Sequence, residues 1–188
     1  MPKIINNLII KFAASTPPPI QSESYNEYRH AEDVATMLGL IVVKSDDLEL
    51  QIDIDSREKY TEHIKSLRLL HKNESGHILL SVSSFPSTPW IDLPPPVPGH
   101  MVIPSSTEDH YHVYLALSKP LPQSERINLQ FMLGSDPGRE SLNTKRLFHP
   151  NGDAGILLFE TPADAQRILW WRGLNNNLRK NYMKLVGA

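Results

Sequence analysis

"LELQIDID", residues 48–55, alternates without a break. Leu48, Leu50, Ile52 and Ile54 fall on one side, and Glu49, Gln51, Asp53 and Asp55 on the other. A period of two marks a half-buried strand, because successive side chains leave a strand on opposite faces. Directly behind it, "SREKYTEHIKSLRLLHK" (56–72) changes to a helical period. Tyr60, Ile64 and Leu67 form its apolar stripe, and Asp55 with Glu58 offers a capping pair at its start. A one-sided strand followed at once by an amphipathic helix predicts a sheet with helices on its apolar face.

The elements around this pair extend the pattern. Upstream, "YNEYRHAEDVATMLGL" (25–40) reads as a helix closing near Gly39, and "IVV" (41–43) begins a strand. Downstream, "HILLSVSSF" (77–85), "HMVI" (100–103) and "HYHVYLAL" (110–117) read as strands. "QSERINLQFMLG" (123–134) is a helix ending at glycine, and "DPGRESLNTKRL" (136–147) another, with Pro137 at a permitted early position. "GILLFE" (155–160) is the last strand, and 162–185 is largely helical.

From residue 48 the order is β-α-β-β-α-β, apart from the extra strand at 100–103 and the split second helix. The expected class is α+β: a ferredoxin-like, RNA-recognition-motif-like sheet with helices on one face and additional N- and C-terminal elements. In that topology the first and third strands are antiparallel neighbours. Asp53 and Asp55, ending the first, then meet His110 and His112, opening the third. Tyr111, Val113, Leu115 and Leu117 turn toward the helices, which leaves carboxylates and imidazoles together on the other, open face. The fourth strand is expected antiparallel to the first.

Composition sets the bounds. A chain of 188 residues with 40% hydrophobic and 21% charged residues suits one globular domain. We divide it into an arm, 1–24, and a domain, 25–188, with its core at 48–160 and a basic C-terminal helix at 162–185. "TPPPI" (16–20) separates arm from domain, and "FPSTPWIDLPPPVPGH" (85–100) reads as a long, semi-rigid loop. No apolar run suits a membrane span, and Lys11 interrupts the N-terminal apolar stretch too early for a signal peptide, so a cytoplasmic location without a membrane partner is expected. The absence of cysteine excludes disulfides, thiolate metal sites and cysteine nucleophiles.

Nineteen basic against 21 acidic residues give no global attraction to nucleic acid, but the C-terminal helix is one-sided in charge. From Ala165 onward there are basic residues and no acidic ones. Arg172, Arg179 and Lys180 are candidate nucleic-acid contacts, against the plainer reading of a solvated helix face.

Two carboxylates at i and i+2 repel when both are ionised, and a divalent cation relieves this; oxygen ligands suit Mg²⁺ or Mn²⁺, and a nearby imidazole suits Mn²⁺ or a phosphate. "LQIDID" followed by "SSTEDHYHVYLAL" resembles the first two motifs of the archaeo-eukaryotic primase superfamily, which includes primase-polymerases of phages and plasmids. Those motifs are a hydrophobic strand ending Asp-x-Asp/Glu, then a strand carrying Ser-x-His or a looser relative. The resemblance spans roughly residues 48–160. It implies a nucleotidyltransferase of DNA replication, dependent on Mg or Mn. Its partners would be nucleoside triphosphates, single-stranded or primed DNA, and a helicase or other replication proteins.

Carried over by position, Asp53 and Asp55 bind metal and His112 contacts the nucleotide's phosphates, with His110 beside it. Ser105 or Ser106 stands for the motif's serine at a longer spacing. The third motif, hydrophobic then acidic, supplies a further metal ligand, either Asp153 or Glu160; strand direction favours Asp153 and the residue pattern favours Glu160. Arg139, Lys145 and Arg146 are candidate contacts to triphosphate or template, against the reading of a solvated helix.

"HYHV" also resembles the His-hydrophobe-His motif of rolling-circle initiators and relaxases. On that reading His110 and His112 share one metal with Asp53 or Asp55, and Tyr182 is the nucleophile that nicks DNA. Tyr182 lies farther downstream than is usual there, and "LELQIDID" lacks the first-strand motif of those proteins. A third possibility is a non-enzymatic module for single-stranded nucleic acid, with Tyr114, Trp90, Trp170 and Trp171 as stacking surfaces, although one of the paired tryptophans is expected in the core. Two-histidine phosphoesterases need two His-x-Thr/Ser motifs, which "HILL" and "HVYL" do not provide.

Overall fold

The computed structural model describes residues 3–5, 8–10, 33–73, 99–105, 107–148 and 157–186. Strands β1 (Lys3–Ile5) and β2 (Leu8–Ile10) pair as an antiparallel hairpin. A helical segment, α1 (33–37), leads into β3 (Ile41–Lys44) and β4 (Glu49–Ile54). Helix α2 (Arg57–Asn73), strands β5 (His100–Pro104) and β6 (Tyr111–Ala116), and helices α3 (Gln123–Met132) and α4 (Pro137–Leu147) follow. Strand β7 (Leu157–Glu160) and helix α5 (Pro162–Val186) complete the order. The chain is α+β. Among the described residues no helix is long and apolar enough to cross a membrane.

Strands β4, β6 and β5 form one antiparallel sheet in that order, with Asp53 opposite His112 and Ile54 opposite Tyr111. Its first face is the predicted one. Leu50, Ile52, Ile54, Tyr111, Val113, Leu115 and Leu117 pack against Tyr60, Ile64 and Leu67 of α2 and against Leu121 and Leu133 flanking α3. The alternation in β4 and the stripe on α2 are two halves of one core, each burying what the other leaves exposed. Ser56, rather than Asp55, caps α2: its Oγ accepts from Lys59 N–H at 3.2 Å, and its carbonyl takes the first helical bond, from Tyr60.

The second face departs from expectation because it is covered. Met101, Ile103, Tyr114 and Ala116 pack against Ile41, Val43 and Leu158 of a β3–β7 ribbon and against Ala165, Ile168 and Trp171 of α5. Trp171 is in this core and its neighbour Trp170 outside it, since consecutive helical residues point about 100° apart. Tyr114 is fully buried, so it offers no stacking surface, and Trp90 lies outside the described residues.

The last strand is a second departure. β7 pairs antiparallel with β3, Glu160 opposite Ile41, and not with β4. The free edge of β4 is already satisfied. Gln51 N–H donates to Gln130 Oε1 at 3.0 Å and Asp53 N–H to Ser135 Oγ at 3.1 Å. The Gln51 carbonyl accepts from Arg139 Nη1 at 2.6 Å and the Asp53 carbonyl from Asp136 N–H at 2.8 Å. The α3–α4 corner thus does a strand's hydrogen bonding and blocks the edge where a fourth strand would add.

Local chemistry builds that corner. Gly134 ends α3 at φ 91°, a left-handed conformation that costs glycine no Cβ clash, and Ser135 N–H closes back on the Gln130 carbonyl at 3.0 Å. Asp136 then caps α4 through Arg139 N–H at 2.7 Å, with Pro137 first in the helix. Buried Glu140 ties the parts together, accepting from Ser135 Oγ at 2.7 Å, Gln130 Nε2 at 3.1 Å and Asn143 Nδ2 at 3.0 Å. The strand expected at 77–85 lies outside the described residues, and β5 takes the place beside β6 that it would have filled.

Candidate functional site

Asp53 and His112 face each other across β4 and β6 on the ribbon-covered side of the sheet. The polar residues of this side divide into a sealed end and an accessible end. At the sealed end Glu49 is held by a two-point contact with Arg172 of α5, and Gln51 Nε2 donates to Glu49 at 2.9 Å. Burial pushes the Glu49 carboxyl up and the Arg172 guanidinium draws it back.

At the accessible end the Asp53 side chain is 25% exposed and Asp55 30%. His112 Nε2 lies 3.9 Å from Asp53 Oδ1, and its Nδ1 lies 2.7 Å from Oε1 of Glu160. The same Glu160 oxygen accepts from the Tyr114 hydroxyl at 2.5 Å. Asp55 turns to Lys59, 2.5 Å away, and this hydrogen bond raises the ammonium above the usual lysine value, helped by the charges of Asp136 and Asp53. Burial, then the Glu160 charge, drives the Tyr114 hydroxyl well above the ordinary tyrosine range, so it stays a donor.

The structure therefore joins Asp53, His112 and Glu160 from three separate strands, with Asp55 adjacent in sequence to the end of β4. Glu160 arrives by way of the ribbon, not as a neighbour of β4. The competing Asp153, and Ser106, lie outside the described residues. Ser105 is near the turn, its N–H donating to the His110 carbonyl at 2.9 Å. His110 precedes β6 and is half-buried, and among the described residues its hydrogen bonds run through its backbone.

The basic candidates are spread out. Arg139 is spent on the Gln51 carbonyl and on Glu140 at 3.1 Å, while Lys145 is exposed and the Arg146 side chain lies outside the described residues. Arg172 is interior, in place of the expected solvated face. Arg179 ties the carbonyls of Leu48 and Leu117 at 2.9 and 2.8 Å. Lys180 is exposed, and the Tyr182 side chain lies outside the described residues.

Sequence reasoning missed Lys59 and gave Tyr114 a stacking role in place of this one. Tyr114 is two residues beyond His112 on the same strand face, and Lys59 is one helical turn beyond Asp55, so both spacings held the signal. As a cation site the residues have suitable chemistry: a hard carboxylate and an imidazole at a separation two ligands of one small ion can share, with Asp55 beside them. Among the described residues no three such side chains already converge on one point. Neither a family model, nor a curated protein, nor a solved structure matches this chain.

Proposed function

We propose that this protein is a primase-polymerase-like nucleotidyltransferase acting at the Asp53–His112 end of the sheet on nucleoside triphosphates and primed or single-stranded DNA. The observation that carries the reading is the register: Asp53 of the Asp-x-Asp strand stands opposite His112 of the histidine strand, and an acid at the end of an apolar strand, Glu160, reaches the same imidazole.

Asp53 and Asp55 supply the negative charge that would hold a divalent cation, Mg²⁺ or Mn²⁺, and His112 stands opposite Asp53 on the neighbouring strand. When bound, such an ion stabilises charge on the transferring phosphate and on the attacking and leaving oxygens. Lys59 supplies a cation that can exchange its Asp55 contact for a phosphate. The buried neighbours, Glu160, Tyr114 and Ser135, keep the strand ends and the imidazole in place, and such preorganisation is what electrostatic catalysis requires.

The nicking reading has no comparable support: among the described residues His110 precedes β6, its hydrogen bonds run through its backbone, and no three metal-ligating side chains converge. The test is incorporation of labelled nucleotide onto a primed template with Mn²⁺ or Mg²⁺, alongside equilibrium binding of a non-hydrolysable triphosphate. Incorporation and binding by the wild type, both lost in Asp53→Asn/Asp55→Asn with the fold intact, are the expected results. A wild-type chain that binds neither triphosphate nor divalent cation would end this reading. A covalent DNA adduct lost in Tyr182→Phe would replace it with nicking.

A further inference from the structure

We propose that Tyr114 and Glu160 are positioning residues that hold His112 in its Nδ1–H tautomer and turn the Nε2 lone pair toward Asp53, so that His112 and Asp53 together form a cation-binding pair. This rests on the cation site of the reading above, but not on nucleotidyl transfer. It gives His112 a different task from the phosphate contact its motif implies.

One oxygen atom organises the cluster. Glu160 Oε1 receives both the Tyr114 hydroxyl at 2.5 Å and His112 Nδ1 at 2.7 Å. A carboxylate oxygen only accepts, so the imidazole nitrogen facing it carries the proton. When the ring is neutral, that is its one N–H, and Nε2 keeps its lone pair. Glu160 is 3% exposed and Tyr114 fully buried, so no bulk water competes for these bonds and neither group can swing away. Tyr114 is itself fixed, its ring edge-on to buried Trp171 with centroids 6.3 Å apart.

At Nε2 the geometry changes character. Its 3.9 Å separation from Asp53 Oδ1 is too long for a hydrogen bond. Two ligands of one small cation at about 2.0–2.2 Å lie about 3 Å apart at a right angle, so a small closing movement of the quarter-exposed Asp53 side chain brings the pair to a shared ion. Asp53 is held from behind, with both backbone groups bound by Ser135 and Asp136. A histidine ligand whose second nitrogen donates to a buried carboxylate is the usual way a protein orients such a ligand and raises its basicity. A lone pair at Nε2 cannot donate to a phosphate oxygen, whereas it can bind an ion. Because imidazole suits Mn²⁺ better than Mg²⁺, the pair should prefer Mn²⁺.

The test is nitrogen NMR of the full chain labelled in its histidines, with His112 assigned through His112→Asn. In the wild type His112 should show the Nδ1–H tautomer alone, and sub-stoichiometric Mn²⁺ should broaden its Nε2 signals first. Asp53→Asn should keep the tautomer and lose the broadening. Glu160→Gln, which can present an amide donor to Nδ1, should mix the tautomers and weaken Mn²⁺ binding about ten- to a hundredfold. Tyr114→Phe, which leaves the Glu160 carboxylate as acceptor but removes its anchor, should keep the tautomer and weaken Mn²⁺ binding less. An Nε2–H tautomer in the wild type, Mn²⁺ broadening confined to other histidines, or unchanged spectra in a folded Glu160→Gln would each overturn the proposal. Intact signatures without nucleotide incorporation would instead count against the transfer reaction and leave this pair standing.

Discussion

Glu49 and Asp53 stand four residues apart on one face of one strand, yet they are opposite kinds of acid. Glu49 is sealed beneath α5, its carboxylate matched to Arg172 and backed by Gln51. Asp53 keeps a quarter of its side chain exposed and faces an imidazole rather than a guanidinium. The strand pattern is the same at both ends, and what differs is the covering. α5 lays an arginine over one carboxylate, while the ribbon brings a second acid, Glu160, to the far side of the imidazole that faces the other. A buried charge with a matched partner is structural, and an accessible charge with a polarisable neighbour is available for chemistry.

The sharpest way to break the comparison is to unseal Glu49. Arg172→Met should leave that carboxylate buried and unpaired, at a cost of about 3–5 kcal/mol, read as a large drop in the urea midpoint. Combining it with Glu49→Leu should recover most of the loss. Asp53→Asn, at the other end, should shift the midpoint little and abolish Mn²⁺ binding. If the two single variants destabilise equally, the distinction between sealed and accessible ends fails.

The histidines provide the next test. His63 and His100 lie on the helix-packed face with ring centroids 6.4 Å apart, and burial lowers them to about 4 and about 3. His63 Nδ1 is 2.7 Å from the Leu133 carbonyl and therefore donates to it. Both are neutral in the fold and titrate near 6.5 when the chain unfolds, so below that pH the unfolded state binds more protons and stability falls. The loss continues until pH reaches the folded values, where the native state protonates too. By pH 5 each contributes a loss of about 2 kcal/mol relative to pH 8. Urea unfolding across this range should show it, and His63→Gln should remove the share of His63. A midpoint flat from pH 8 to pH 5 would refute it.

The edge of β4 comes third. Ser135→Ala strands the Asp53 N–H and removes a donor from Glu140, for an expected loss of about 1–3 kcal/mol. Mn²⁺ affinity should fall as well, because the strand end that aims Asp53 loses its clamp. Destabilisation with unchanged affinity would show that the corner supports the fold alone.

Much of this was legible in the sequence, for definite reasons. Leu50, Ile52 and Ile54 declared one face, the stripe of α2 declared its cover, and strand order brought Asp53 to His112 without any knowledge of contacts. The cover on the second face was not legible, because β3 and β7 are short apolar runs whose partners no periodicity identifies. The fate of the β4 edge was hidden for a related reason. Gln130, Ser135, Asp136 and Arg139 bond to backbone, and backbone hydrogen bonding leaves no trace in a hydrophobic pattern. Charge misled for Arg172, since a lone acidic partner 123 residues away in the sequence, Glu49, turned a solvated face into an interior one.

The smallest expected effect concerns Lys59, and its sign matters more than its size. Its contact with Asp55 is half-exposed, so Lys59→Met should change stability by less than about 1 kcal/mol. The ammonium nonetheless sits among Asp55, Asp136 and Asp53 and already neutralises part of the charge that would draw a divalent cation. Removing it should leave the fold alone and tighten Mn²⁺ binding several-fold in a calorimetric titration at low salt, while binding of a triphosphate without metal weakens. Both shifts should shrink as salt rises and screens the exposed charges. Metal affinity that drops in Lys59→Met would mean the lysine holds Asp55 in its binding posture, making the accessible end as rigidly built as the sealed one.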